Sequence, residues 1–332
     1  YPVHIDEWIH LAYSKAMLDA GSTTFVAPFL GQSTLGLSSN LEAGFHAFWG
    51  VFQSISGISW LTIFRYFPSV VFMITVSSVY ILARRRGFGW EAALFSCLIP
   101  TTVGILGPAF LVPVAMGLLF VPLSLFIAFY SRTVWSYLVL FLFTSFLLSI
   151  HAPSAICLVI ILIPYILLNL KGNFRHSLGM TLALAIPFLA PFPWIFDMLL
   201  PTAKSLFVPH LPSPYVDLPL VIQTYGYLPI TLCLLGAFML GIRGGKKNYG
   251  LVLGLLAMLL MLVTFFTFHY GVEIMYQRGL MYMMLMMSIG AGAGLMGVKE
   301  LKLPEKISSR LRVPLITQNV GNILCLVLIG LT

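Results

Sequence analysis

Charge is what this sequence lacks most. Asp, Glu, Lys and Arg make up 8% of its 332 residues, against roughly 25% in a soluble globular domain. So few charges cannot cover a water-soluble fold of this size. With 59% hydrophobic residues, lipid must be the main solvent. Cysteine is scarce as well: Cys97, Cys157, Cys233 and Cys325 lie far apart, each within an apolar run. That spacing excludes a disulfide framework and a metal-ligand motif, and leaves four small core or lipid-facing residues. No signal peptide, internal repeat or low-complexity segment is visible. The chain starts at Tyr1 in a polar stretch, so a preceding segment is expected.

The net charge of +8 does not point to nucleic acid, because the basic residues form short clusters between long apolar runs, as at a membrane surface. A spanning helix needs about 20 mostly apolar residues. Ten stretches qualify: 63–83, 91–107, 109–130, 134–150, 153–169, 178–198, 220–242, 250–269, 279–298 and 314–332. The sequence therefore predicts an all-α, polytopic transmembrane bundle of about ten spans. It forms one membrane domain over 1–332, with a first extracytoplasmic segment at 1–60 and a transmembrane core at 61–332.

Orientation follows from the basic residues. Arg84, Arg85 and Arg86, then Arg132, Lys171 and Arg175, Arg243, Lys246 and Lys247, and the group from Lys299 to Arg312 fall after alternate spans. Thus 14 of the 18 Lys and Arg share one side, which the positive-inside rule makes cytoplasmic. Ten crossings from an outer start would also leave the chain end outside, where a further domain could continue. On the outer side, 1–60 carries helix-like stretches at 5–20 and 40–55, the second with Ser38-Ser39-Asn40 as its expected N-cap. Both are amphipathic enough to lie along the interface. Five prolines between Pro201 and Pro219 forbid a long helix in the second outer segment.

Seven of ten carboxylates and six of seven histidines fall outside by this topology, a concentration that topology alone does not explain. The densest group is His4-Ile5-Asp6-Glu7-Trp8-Ile9-His10. On a helix, Asp6 and His10 stand one turn apart on one face. A carboxylate beside an imidazole suits a general base or a divalent metal; acids at a helix start also occur for electrostatic reasons alone. The order His4, Glu7, His10 is the wrong register for a zinc protease. Gly292-Ala-Gly294-Leu-Met-Gly297 spells G-x-G-x-x-G at the end of a span with no strand before it, so close helix packing is the better reading. Glu42 and His46 repeat the one-turn spacing, as a solvated face would. Arg278, after Glu273 and Tyr276, and Lys204 are basic residues on the outer side. They suit an ion pair (Arg278 with Glu273), snorkelling, or a phosphate clamp. His151 with Pro153, and Gly107-Pro108, mark tight outer turns that helix breaking explains.

These features resemble the GT-C class of integral membrane glycosyltransferases, the superfamily of dolichyl-phosphate-mannose-dependent mannosyltransferases and their bacterial and archaeal relatives. The likeness rests on Asp6-Glu7 with His10 and the run Leu11–Gly21 opening the first outer segment, on the His151-Ala-Pro153 turn, and on Tyr276-Gln-Arg278-Gly-Leu280. It covers most of the chain through short motifs and topology, and is nearest to uncharacterised archaeal or bacterial members. It implies a cell-membrane enzyme moving a hexosyl or pentosyl group from a polyprenyl-phosphate-linked donor to a glycan, lipid or protein acceptor at the extracytoplasmic face, with inversion. By that resemblance Asp6 is the general base, Glu7 or His10 orients it or the acceptor, and Arg278, with Lys204, holds the donor phosphate. Glu42, His46, His151, Glu273 and Tyr276 are the further substrate-binding candidates. The usual span before the acidic segment is missing, in line with an earlier start. The outer turn at Gly107-Pro108 lacks the paired acids of the metal-dependent oligosaccharyltransferases, which leaves a divalent metal open only for the His/Asp/Glu group. The rival readings are a transporter or flippase of a lipid-linked substrate, which places charged sites near the midplane, and a non-catalytic membrane protein of the same fold.

Overall fold

A computed structural model describes residues 4–29, 34–36, 42–101, 107–190, 218–271, 273–301 and 314–330. Among them the fold is all-α apart from one short antiparallel pair, β1 (Phe25–Val26) with β2 (Thr34–Leu35). The helices are α1 (Ile5–Ala20), α2 (Ala43–Ser56), α3 (Trp60–Arg84), α4 (Gly89–Cys97), α5 (Pro113–Tyr130), α6 (Val134–Ile150), α7 (Ala152–Asn169), α8 (Phe174–Leu189), α9 (Leu218–Tyr225), α10 (Tyr227–Arg243), α11 (Lys246–Phe268), α12 (Glu273–Lys299) and α13 (Pro314–Gly330).

Five of these, α3, α5, α7, α11 and α12, are long and apolar enough to cross a membrane, or up to six spans if α9 and α10 count as one. The helices α6, α8 and α13 are apolar but shorter. Ten full spans are therefore not seen among the described residues, and two of the differences have local causes. In the stretch 91–107, α4 ends at Cys97, just before Pro100, which cannot donate to a continuing ladder, and 102–106 lie outside the described residues. The stretch 220–242 divides at Gly226, whose φ of 94° is open to glycine, and the two helices meet at 92°. In α2 the N-cap position is Glu42, with no capping bond from its side chain, and the expected cap Ser38-Ser39-Asn40 lies outside the described residues.

The axis of the bundle is α12, whose apolar stretch is 94% buried. It packs against α4, α5, α7, α10 and α11. Small residues make the approach. A Cβ on Gly294 would stand 2.0 Å from the Leu232 carbonyl oxygen, and one on Gly292 would stand 2.4 Å from the Ala92 nitrogen. The glycine-rich run is thus a helix-packing seam, as its place in the sequence implies. The outer helices instead turn large apolar side chains outward at helical spacing: Leu178, Leu182 and Ile186 on α8, Leu253, Leu256 and Leu260 on α11. Contiguous exposed apolar faces of this kind need a lipid solvent.

Charge separates to the two ends of the bundle. At one end the Lys247 ammonium lies 4.0 Å over the Tyr130 ring, Lys299 pairs with Glu91 at 3.4 Å, and Arg243 pairs with Glu300. A Cβ on Gly172 would stand 2.7 Å from Lys246 Nζ, so the α7–α8 turn shares that end. At the opposite end lie α1, α2, the segment 107–112, the turn at His151 and the start of α12.

Gly294→Val should clash with α10 and lower stability by about 1–3 kcal/mol, read as a fall in thermal midpoint in detergent. An unchanged midpoint would contradict the seam.

Candidate functional site

The helix α1 is fixed at both ends. His4 caps it: its Nδ1 accepts from the Asp6 N–H at 3.1 Å, and the Glu7 carboxylate accepts from the His4 N–H at 3.2 Å. Gly21, at φ 58°, ends it. The helix then folds back through the β1–β2 ribbon onto α2. This hairpin rests on the bundle through Gly44, where a Cβ would stand 2.5 Å from the Ser149 carbonyl oxygen at the end of α6. Only glycine permits that approach, and it carries the start of α2 to the His151 turn.

Glu7 turns inward. It is 2% exposed, and its Oε1 accepts from the Leu111 N–H at 2.9 Å. With His4 against Phe110, ring centroids 5.0 Å apart, it ties α1 to the segment 107–112. Asp6 stays half-buried at the site, 3.9 Å from His4 Nδ1. Three histidines from distant parts of the chain meet beside it. His10 Nδ1 lies 3.0 Å from His46 Nε2. Between His10 and His151 stands Glu42, its Oε2 3.9 Å from His10 Nδ1 and its Oε1 4.0 Å from His151 Nε2. The Glu42 side chain keeps 27% of its surface exposed, so the carboxylate is reachable, whereas His46 and His151 are buried.

Behind His151 runs a polar chain into the bundle. Tyr282 donates to Ser154 Oγ, and Ser154 lies 2.5 Å from His151 Nδ1. With its oxygen accepting from Tyr282, the serine hydroxyl is placed to donate to Nδ1. In that arrangement the ring proton sits on Nε2, the nitrogen 4.0 Å from Glu42. Gly117 makes room for this chain: a Cβ there would stand 2.1 Å from the Tyr282 hydroxyl.

Burial dominates the electrostatics. It holds His10 well below the ordinary imidazole range, helped by His46, Arg278 and His151. It lowers His46 to about 4, and it lowers His151 to about 3 with help from Arg278. All three are neutral at pH 7. Burial raises Glu42 to about 7; Arg278 opposes the rise and Asp6 adds to it. The arrangement offers a carboxylate able to give or take a proton near neutrality, neutral hydrogen-bonding rings, and a guanidinium within electrostatic reach of both.

The sequence candidates therefore divide. Asp6, His10, Glu42, His46, His151 and Arg278 come together. Tyr276 serves packing, its ring stacked on Phe265 with centroids 4.2 Å apart. Lys204 and the Glu273 side chain lie outside the described residues, and with them the expected ion pair between Glu273 and Arg278. Among the described residues no three His, Cys, Asp or Glu side chains form a group that could hold a metal ion. Gly44, Ser154 and Tyr282 belong to the site's support, and no sequence motif marks them. No known protein-family model matches the chain, and no curated protein sequence matches it.

Two outcomes follow. Glu7→Ala leaves the buried Leu111 and His4 N–H groups short of an acceptor, at about 1–3 kcal/mol. It should lower the thermal midpoint and expose 107–112 to protease; an unchanged cleavage pattern would contradict the tie. His46 has its folded pKa below its ordinary value, so its contribution is present above pH 6.5 and is lost as pH falls towards about 4. His46→Gln should remove an acid-side loss on the order of 3 kcal/mol, seen as a flatter plot of thermal midpoint against pH between 6.5 and 4. A plot as steep as wild type would contradict it.

Proposed function

We propose that this protein is a membrane glycosyltransferase that moves a sugar from a polyprenyl-phosphate-linked donor to an acceptor at the extracytoplasmic face, by direct inverting displacement. The observation that carries the reading is the gathering of two carboxylates, three imidazoles and Arg278 at the end of an apolar bundle opposite its basic turns. By the positive-inside rule those basic turns face the cytoplasm. The site then lies at the outer surface, where a lipid-borne phosphate and a water-borne acceptor can meet. The likeness of Asp6-Glu7, His151-Ala-Pro153 and the Arg278 segment to the GT-C class agrees with it.

Sugar transfer of this type needs a group that takes the acceptor's proton and a cation facing the phosphate as its charge grows. A carboxylate of the cluster serves the first need and Arg278 the second. Half-buried His10, kept neutral, suits hydrogen bonding to the sugar without competing for the phosphate, and the buried His46 and His151 back it. The exposed apolar helix faces let a polyprenyl tail remain in lipid while its head reaches the site.

A flippase of the same lipid-linked substrate is favoured by one feature, the sharply bent pair α9–α10, since transporters use broken helices. Against it, α12 has no Asp, Glu, Lys, Arg or His between Arg278 and Lys299, so the axis of the bundle offers no charged midplane site.

The test uses the purified chain in lipid nanodiscs with radiolabelled short-chain polyprenyl-phosphate hexoses and pentoses. Wild type should release polyprenyl phosphate and label an acceptor, and Arg278→Gln should lower the rate by about 10²-fold or more. Movement of intact donor across vesicles without cleavage would favour the flippase. Full activity of Arg278→Gln would remove the phosphate role.

A further inference from the structure

We infer that Glu42, rather than Asp6, is the group that receives the acceptor's proton, with the neutral rings of His10 and His151 flanking its carboxylate on either side. The inference rests on the transferase reading and names the proton acceptor within it.

Geometry separates the two carboxylates. Asp6 sits in the first turn of α1, its carboxylate 3.9 Å from the capping ring of His4. Glu42 stands at the junction of α2 with the bundle, one oxygen towards His10 and the other towards His151. Its main chain is fixed there, because it is the N-cap residue of α2 and its carbonyl accepts from the N–H groups of Phe45 and His46. The rings on both sides are themselves held, His10 by His46 and His151 by Ser154. A catalytic group locked by a supporting shell of this kind is preorganised, and its partial exposure leaves a route to substrate and, after turnover, to water.

The step balances as follows. The acceptor hydroxyl oxygen bonds to the anomeric carbon while the bond from that carbon to the phosphate oxygen breaks. The bonding pair leaves on the phosphate, which Arg278 faces. The hydroxyl proton passes to the Glu42 carboxylate, which later gives it to solvent. A proton acceptor works best when its own affinity for protons lies near the working pH, and burial puts Glu42 there.

The charged and titratable groups facing Glu42 are Asp6 and His10 from α1, His46 on α2, His151 in the α6–α7 turn and Arg278 from α12. Glu42 must be ionised to act, so the rate falls as pH drops below about 7. The histidines are already neutral across that range and add no limb there. Asp6→Asn removes a like charge, lowers the Glu42 pKa and moves the acid limb to lower pH.

The experiment measures kcat and kcat/KM from pH 5 to 9 for the full chain in nanodiscs, with the same short-chain polyprenyl-phosphate sugars. Glu42→Gln, close in shape, should lose 10²-fold or more in kcat with little change in KM. Glu42→Asp, which keeps an acid, should recover part of that loss, and this second variant guards against a folding defect in the first. Asp6→Asn should lose less than tenfold at pH 8 and show the displaced limb. If wild type transfers sugar while Glu42→Gln keeps its rate and Asp6→Asn is dead at every pH, Asp6 is the base and the inference is overturned alone. If wild type transfers no sugar from any donor, the transferase reading falls and this inference with it.

Discussion

A guanidinium can stand among imidazoles at the dry rim of a membrane bundle only if those imidazoles stay uncharged. That constraint organises the end of the bundle opposite its basic turns. Burial alone would suffice to keep His46 neutral, and Arg278 adds to the effect at His10 and His151. Glu42 feels opposite pulls: burial and Asp6 favour its protonated form, Arg278 its ionised form. The balance leaves one carboxylate poised near neutrality while its neighbours are not. Removing the helix hairpin would let water in and erase the difference, so the fold of residues 4–56 is itself part of the electrostatics.

The packing serves the same end. Glycine seams let α12 run through the centre of the bundle and bring Arg278 to the outer rim, while Gly44 lets α2 seat Glu42 beside His151. Glu7, the acid next to Asp6 in sequence, points the other way and secures the segment 107–112. Two adjacent carboxylates thus have separate work, one holding the scaffold and one facing the site, because successive residues on a helix point about 100° apart.

What the sequence made legible and what it hid differ in kind. Local signals were readable: α1 spans Ile5–Ala20, the helix-like stretch expected at 5–20, and the described basic turns do share one end. Breaks inside apolar runs were not. Pro100 shortens α4, and Gly226 turns one apolar stretch into two helices, because hydropathy registers neither a missing N–H nor a positive φ. In the site, Glu42 and His46 look in sequence like one turn of a solvated face. The burial of His46 and the partial burial of Glu42 come with partners 32 or more residues away, which no local pattern encodes. Ser154 and Tyr282 were invisible for the same reason, being ordinary apolar-helix residues until His151 is placed against them.

The sorting of basic turns to one end and titratable groups to the other is most directly tested by the sidedness of single cysteines. In a background with the four native cysteines replaced by serine, Ser22→Cys reports the outer hairpin and Arg132→Cys the basic end; both positions are exposed. A membrane-impermeant maleimide applied to intact cells should label Ser22→Cys and reach Arg132→Cys only after permeabilisation. Labelling of both from the same side would contradict the two-ended arrangement on which the site depends.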